Sequence, residues 1–253
     1  MTWLPRACIV RGMASPANSF DKSLDTRVTA LQKGLGDNLF SCILYGSAVR
    51  GNLVPGVSDI NLLLVLREST PEAHGVIAEL IMGEPPIEPF ILGRRGLERS
   101  FRSFAVKFRS IQRNYRVLLG EDPLAGLDVP EAVVRMECEQ VLRNVRLRAV
   151  HAFVTFGSFP KRYSTYLVDV TADAFVALSE PIRLEGFTVP QDLAARAKVI
   201  EEATGGDVSI LTDLLTLKAR PRVLSAKEAA DYHARLFRLL DKATAWLETR
   251  WPM

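Results

Sequence analysis

The stretch LYGSAVRGNLVPGVSDINLLLVL, residues 44–66, joins two runs of β-strand type through a turn-rich connection. The second run, residues 60–66, is apolar nearly throughout, which is typical of a strand covered on both faces. The first run, residues 39–45, leads directly into the pair Gly46-Ser47. We expect this pair to open a helix, where backbone N–H groups and the serine hydroxyl can receive a phosphate.

Asp59, just before the second run, and Asn61 stand at positions i and i+2, so their side chains are expected to project from the same face of the strand. Two carboxylates there would hold divalent cations beside a triphosphate on the glycine–serine pair, which is the arrangement of two-metal nucleotidyl transfer. This chain has asparagine in place of the second acid. Two further residues of the connection are candidate phosphate-binding groups, Arg50 and Ser58.

These residues resemble the signature of the polymerase-β-like nucleotidyltransferase superfamily, and most of all its bacterial branch with the aminoglycoside nucleotidyltransferases. The stretch FAVKFRSIQRNYRVLLGEDPLAGL, residues 104–127, resembles the family segment that precedes a helical domain. The resemblance implies that the glycine–serine pair binds phosphate and that Asp59 is the first metal ligand. It also implies an acid on the strand corresponding to FAVKF and another in the next turn, where this chain has Lys107 and Ser110.

Charge decides what these replacements mean for catalysis. Three carboxylates offer about −3 to two dications, whereas Asp59 and Lys107 together offer a net charge of about zero. Unit charges about 4 Å apart interact by roughly 4 kcal/mol at an effective dielectric constant of about 20, so replacing an acid by a lysine costs several kcal/mol per metal charge. Asn61 can coordinate through its carbonyl oxygen but brings no charge. We therefore expect a weak metal site at Asp59, if any, and disabled two-metal catalysis.

The rest of the 253-residue chain predicts two domains. Apolar residues at helical spacing after Phe20 predict a helix, and IEPFIL (87–92) and FAVKFRS (104–110) predict two more strands. The turn-rich stretch 120–130 then divides the chain. The predicted fold class is α+β, a nucleotidyltransferase-like mixed sheet with flanking helices followed by an all-α helical bundle. The predicted divisions are an N-terminal tail over 1–19, the nucleotidyltransferase-like α/β domain over 20–129 and the bundle over 130–253.

Two signals support the helical bundle. An apolar stripe at helical spacing runs from Val134 to Phe156, which predicts a long amphipathic helix. Ser225 and Glu228 have the spacing of a capping box, which predicts that a long final helix begins there.

Basic residues are concentrated between Arg94 and Arg116. Such a segment can attract a nucleotide or nucleic acid, although it is often only a solvated face. The basic residues are Arg94, Arg95, Arg99, Arg102, Lys107, Arg109, Arg113 and Arg116. The overall net charge of +3 is too small to indicate nucleic acid or a membrane by itself.

The remaining composition predicts a cytoplasmic protein without a membrane partner. The cysteines Cys8, Cys42 and Cys138 are scattered, which suits a reducing compartment and gives no zinc-ligand spacing. The apolar run near the N-terminus is too short for a signal peptide, and no stretch is long enough to span a bilayer.

Three functions remain open on the sequence. The favoured hypothesis is a degenerate nucleotidyltransferase that binds a nucleotide or another phosphorylated ligand with weak or no transfer, so enzymatic activity is uncertain and no cofactor is assigned. The second is an active Mg²⁺-dependent enzyme that transfers a nucleotide to a small hydroxyl compound or a protein, with Asp59 as a metal ligand and Glu88 or another acid supplying the missing carboxylate. The third is a non-enzymatic module that binds nucleic acid or protein.

Overall fold

The computed structural model describes residues 16–49 and 60–252, which form two compact units. The first unit contains the described residues up to Leu97 together with Ile111–Ala125, and the second contains Glu98–Ser110 and the residues from Gly126 onward. The chain therefore passes between the units more than once. Residues 98–110, which fall in the predicted α/β domain, cluster with the second unit.

The first unit is built on a four-stranded mixed sheet with the order β3-β2-β1-β4. The strands are β1 (Leu39–Tyr45), β2 (Ile60–Leu66), β3 (Ile87–Gly93) and β4 (Tyr115–Gly120). Strand β1 is antiparallel to β2 and β4, whereas β2 and β3 are parallel. The structure thus confirms three of the predicted strands.

Two helices cover one face of this sheet, α1 (Pro16–Leu35) and α2 (Pro71–Leu80). Their apolar residues Leu24, Leu31 and Ile77 form a core with Leu44 and Leu62. Helix α1 ends where Gly36 takes the left-handed φ of +53°. Its first turn lies within the segment assigned to a tail, since residues 16–19 are helical.

The segment FAVKFRS is helical, and its prediction as a strand was wrong. It follows α3 (Leu97–Ser103) and lies in α4 (Ala105–Arg113). The Glu137 carboxylate accepts a hydrogen bond from the Val106 N–H at 2.6 Å, so a side chain from a distant part of the sequence stabilises the start of α4. The fourth strand lies further along the chain, at Tyr115–Gly120.

Besides the described residues 98–110, five helices belong to the second unit and share an apolar core. They are α5 (Glu131–Phe156), α6 (Pro160–Leu184), α7 (Leu193–Thr204), α8 (Ser209–Ala219) and α9 (Ala226–Arg250). The predicted apolar stripe of α5 is confirmed, because Val145 and Ala149 are fully buried within it. The capping box is confirmed as well, since the Ser225 and Glu228 side chains each accept a hydrogen bond from the other's backbone N–H.

No helix among residues 16–49 and 60–252 has the length and apolar character needed to cross a membrane. The side chains of Cys42 and Cys138 are both buried. Burial raises the pKa of the Cys42 thiol to about 12, so this side chain behaves as a packing residue.

Candidate functional site

Four side chains form one row across the sheet of the first unit, at the end where the chain leaves β1. Tyr45 pairs with Tyr115 of β4 and with Asn61 of β2, and Asn61 pairs with Glu88 of β3. Paired residues on neighbouring strands point to the same face and lie about 4.8 Å apart from strand to strand. The site row, Tyr115–Tyr45–Asn61–Glu88, therefore lies on the face opposite the core formed with α1 and α2.

Gly46 follows the site row directly and packs against it. Its backbone has φ +81°, in the left-handed region that favours glycine. A Cβ placed at this position would lie 3.3 Å from Asn61 Nδ2 and 3.7 Å from Asn61 Cγ. The carboxamide of Asn61 therefore lies against the turn, and the structure brings together the predicted residues Gly46 and Asn61.

Residues 46–49 form a turn in the structure, whereas the sequence predicted that a helix opens there. Ser47 is half-buried in this turn. A turn with a left-handed glycine can present backbone N–H groups to an anion without a helix, so phosphate binding does not require the predicted helix. The predicted site residues Arg50, Ser58 and Asp59 lie outside the described residues.

Glu88 supplies a carboxylate beside Asn61. The two residues are in direct parallel register, and the Glu88 side chain is exposed. The sequence suggested Glu88 only as a substitute for a missing acid. The signal for Glu88 was a charged residue at the start of an apolar strand. Its position beside Asn61, however, depends on the order and register of the strands.

Tyr45 is buried, and its environment keeps the phenol protonated. Burial raises the pKa of Tyr45, and the negative charge of Glu88 raises it further. This influence places the Glu88 carboxylate within electrostatic reach of Tyr45, across the intervening Asn61. On the other side of the row, the Tyr115 hydroxyl donates to Asp122 Oδ2 at 2.8 Å, and this bond is the main reason that the pKa of Tyr115 is raised.

Lys107 does not lie on a strand. It is an exposed residue of α4 and belongs to the second unit, whereas the site row belongs to the first. The sequence predicted that Lys107 would oppose the metal ions because its segment was expected to be a strand of the sheet. Lys107 remains a predicted site residue, and Glu88 adds a carboxylate to the site row.

The basic segment does not form one element. Its eight residues are distributed over the turn after β3, α3, α4 and β4, and they are divided between the two units. Within the first unit, the Arg94 guanidinium lies 4.3 Å from the centre of the Phe40 ring. Arg116 forms an exposed ion pair of 3.2 Å with Asp21. These two residues thus have partners within the first unit, which favours a structural role for part of the segment.

The donor chemistry of the site row suits one oxygen-liganded cation. Mg²⁺ binds through one or two carboxylates together with substrate phosphates, and amide oxygens are further ligands for hard cations. Glu88 offers a carboxylate and Asn61 a carboxamide, next to a turn suited to phosphate. A pair of cations needs more negative charge than Glu88 and Asn61 alone supply, and the predicted metal ligand Asp59 lies outside the described residues. Among residues 16–49 and 60–252, no group of three acidic, histidine or cysteine side chains is placed to hold a metal ion.

Comparison with known proteins shows the fold. No protein-family model matches the chain, and no curated protein matches its sequence. Among solved structures, the chain is similar to a spectinomycin adenyltransferase from Enterococcus faecialis determined with ATP and spectinomycin. The TM-score is 0.53 at 14% sequence identity, over 90% of this chain and 99% of that chain. The protein thus has a nucleotidyltransferase-like α+β fold, with a mixed sheet and a helical C-terminal region.

Proposed function

We propose that this protein binds a nucleoside triphosphate, or another phosphorylated ligand, at the Gly46 turn and that it transfers a nucleotidyl group weakly or not at all. The phosphate-binding surface is the turn of Gly46 and Ser47. The reaction is attenuated because the position next to Glu88 carries the neutral side chain of Asn61. The fold shared with an adenyltransferase solved with ATP supports the ligand class.

The observation that carries this proposal is the placement of Asn61. Its strand pairing sets it between Tyr45 and Glu88, and its carboxamide packs against Gly46. A carboxylate here would lie beside a bound triphosphate and could share a cation with it. The carboxamide keeps the shape of that side chain and removes its charge, which favours retained binding over turnover.

A second function is supported by Glu88. Its register with Asn61 supplies one acid beside that side chain, which supports the alternative of an active Mg²⁺-dependent nucleotidyltransferase that modifies a small hydroxyl compound or a protein. In that case Asp59, Glu88 and a substrate phosphate would hold the cation, and Asn61 would be a tolerated substitution. The basic segment, which is divided between the units, gives no comparable support to a nucleic-acid module.

One set of measurements separates the two functions. ATP binding is measured by titration calorimetry with and without Mg²⁺, and AMP transfer is followed with radiolabelled ATP and a panel of hydroxyl acceptors. For a weak or inactive transferase, we expect binding by the parent, little or no transfer, and a rate at least about tenfold higher in Asn61→Asp.

Glu88→Gln is the control for the active alternative. If Glu88 holds the cation, this isosteric change should abolish parental transfer and weaken Mg²⁺-dependent ATP binding. Efficient transfer by the parent, without any gain in Asn61→Asp, would overturn the attenuated function. Failure to bind ATP or any other phosphorylated ligand would exclude both.

A further inference from the structure

The second unit carries an exposed patch where the first turn of α6 meets the loop between α8 and α9. The Leu224 N–H donates to Ser164 Oγ at 2.9 Å, and the same hydroxyl donates to the Pro160 carbonyl at 2.7 Å. These two hydrogen bonds hold the loop residues before Leu224 next to the residues on either side of Pro160. The basic–apolar patch is defined by these neighbours, which are Phe159, Lys161, Arg162, Arg220, Arg222 and Val223.

Two apolar side chains of the basic–apolar patch are open to solvent. Phe159 and Val223 are each 56% exposed. The Arg162 guanidinium carbon lies 5.9 Å from the centre of the Phe159 ring and 5.8 Å from that of the Phe156 ring. The exposed ring therefore lies beside a cation. Large apolar side chains that are exposed next to basic residues are typical of surfaces that enter the boundary between lipid head groups and acyl chains.

The basic side chains give the patch a positive charge. Arg222 forms an ion pair with Glu228 at 2.7 Å. Lys161 and Arg220 are exposed and form no ion pair with another described residue, and Arg162 contacts two aromatic rings rather than an acid. Anionic lipids attract such clusters of lysine and arginine. The charge of the patch is thus complementary to a negatively charged membrane surface.

A single-stranded nucleic acid would use a basic patch differently, because its bases stack on the faces of aromatic rings. Of the six patch residues, only Phe159 has such a ring, and Arg162 already contacts it. Val223 has no ring on which a base can stack, whereas burial of an aliphatic side chain in lipid is favourable. The combination of exposed apolar side chains with cations therefore favours a membrane.

We propose that the basic–apolar patch attaches this protein reversibly to the surface of an anionic membrane. The two apolar side chains enter the head-group region, and the basic side chains contact lipid phosphates. This is a peripheral contact, since no helix among the described residues could span a membrane. It does not depend on nucleotide binding. The sequence predicted no membrane partner, because the patch is formed by a contact between residues 60 positions apart.

Sedimentation with lipid vesicles tests this contact. The full-length protein is mixed with vesicles of phosphatidylcholine alone, or of equal parts of phosphatidylcholine and phosphatidylserine, and the bound fraction is measured at low and at high salt. We expect the parent to bind the anionic vesicles at low salt, to bind the neutral vesicles at least about tenfold more weakly, and to be released by high salt.

Charge reversal identifies the patch as the contact. The double variant Lys161→Glu with Arg220→Glu should bind anionic vesicles at least about tenfold more weakly than the parent. The matched control is Arg238→Glu with Lys242→Glu, which reverses one arginine and one lysine at exposed positions of α9. These positions lie about 18 Å or more along the helix from its first residue, so the control should lose much less binding. Thermal melting of each variant verifies that it is folded.

Phe159→Ser, at an exposed position, tests the apolar part of the patch and should lower binding to anionic vesicles severalfold. It also serves if the double variant does not fold. Binding to neither type of vesicle, equal binding to both, or the same loss in the two double variants would overturn the inference. Unchanged binding in Phe159→Ser would overturn it as well, because charge alone would then explain the attachment. If the parent instead retains single-stranded RNA on a filter and the patch variant does not, the ligand is a nucleic acid and the membrane contact is wrong.

Discussion

The contact between Gly46 and Asn61 joins the two halves of the candidate site. Gly46 turns the chain away from β1 with a left-handed backbone, and a Cβ at this position would lie only 3.3 Å from Asn61 Nδ2. The turn and the strand next to it are therefore fitted to each other at the level of single atoms. A change at either residue should alter the position of the other.

Gly46→Ala should weaken ATP binding by about tenfold or more, because the new methyl group would displace Asn61 and strain the turn. The left-handed backbone itself should cost roughly 1–2 kcal/mol of folding stability. Titration calorimetry and urea unfolding measure the two effects. Gly36→Ala is the matched control, since Gly36 also has a left-handed φ but open space around its Cβ position. Equal loss of ATP affinity in both variants would contradict a specific role of the Gly46 turn.

At the scale of elements, the sequence predicted those whose signals are local. Strands β1 and β2 are continuous apolar runs, and α9 begins at a capping box. FAVKFRS was mistaken for a strand because a short run with apolar residues fits both the two-residue period of a strand and the 3.6-residue period of a helix. Its start as a helix depends on the carboxylate of Glu137, which is 31 residues away. Such a cap is a tertiary contact, and no pattern within the segment contains it.

The capping box of α9 gives a prediction at this scale. The Ser225 hydroxyl accepts from the Glu228 N–H at 3.3 Å, and Glu228 Oε2 accepts from the Ser225 N–H at 2.8 Å. Ser225→Ala should therefore lower the free energy of unfolding by about 1 kcal/mol, which urea unfolding can measure. Lys227→Ala, at an exposed position in the same first turn, should change it little. Similar losses in the two variants would show that the box contributes nothing specific.

For the whole molecule, strand order and register are what the sequence could not supply. Gly46 and Asn61 were identified as site residues from a local pattern, and the structure brings them into contact. The place of Glu88 beside Asn61 follows from the parallel pairing of β2 with β3, which no local pattern specifies. Register is set by the packing of a whole sheet, so residues 27 positions apart become neighbours only in the folded chain.

Folding of the second unit also connects distant residues, and Glu185 is the clearest case. This residue follows α6, and its carboxylate accepts from Trp251 Nε1 at 2.7 Å and from the Arg135 guanidinium at 3.1 Å. Arg250 lies 3.8 Å from the same carboxylate. The hydrogen bond from Trp251 and the two arginines lower the pKa of Glu185 below its ordinary value of 4.5. One acid thus ties α5, the end of α6 and the C-terminal residues together.

The depressed pKa of Glu185 predicts a defined pH dependence of stability. A carboxyl whose folded pKa lies below its unfolded value stabilises the fold fully above the unfolded value, and this contribution is lost as the pH falls through the folded pKa. The parent should therefore lose stability below about pH 4.5, beginning near the ordinary glutamate value. Glu185→Gln keeps an oxygen that can accept from Trp251 but has no charge to titrate. It should be less stable than the parent at neutral pH and should lose less stability on acidification.

Urea unfolding at a series of pH values from neutral to acidic measures how steeply the free energy of unfolding falls with pH in the parent and in Glu185→Gln. Glu202→Gln, at an exposed position of α7, is the control that removes one carboxylate without disturbing the Glu185 contacts. Its acid slope should match that of the parent. An unchanged slope in Glu185→Gln would mean that the arginines and Trp251 do not favour the ionised carboxylate, because a group with equal pKa values in the folded and unfolded states contributes no pH dependence.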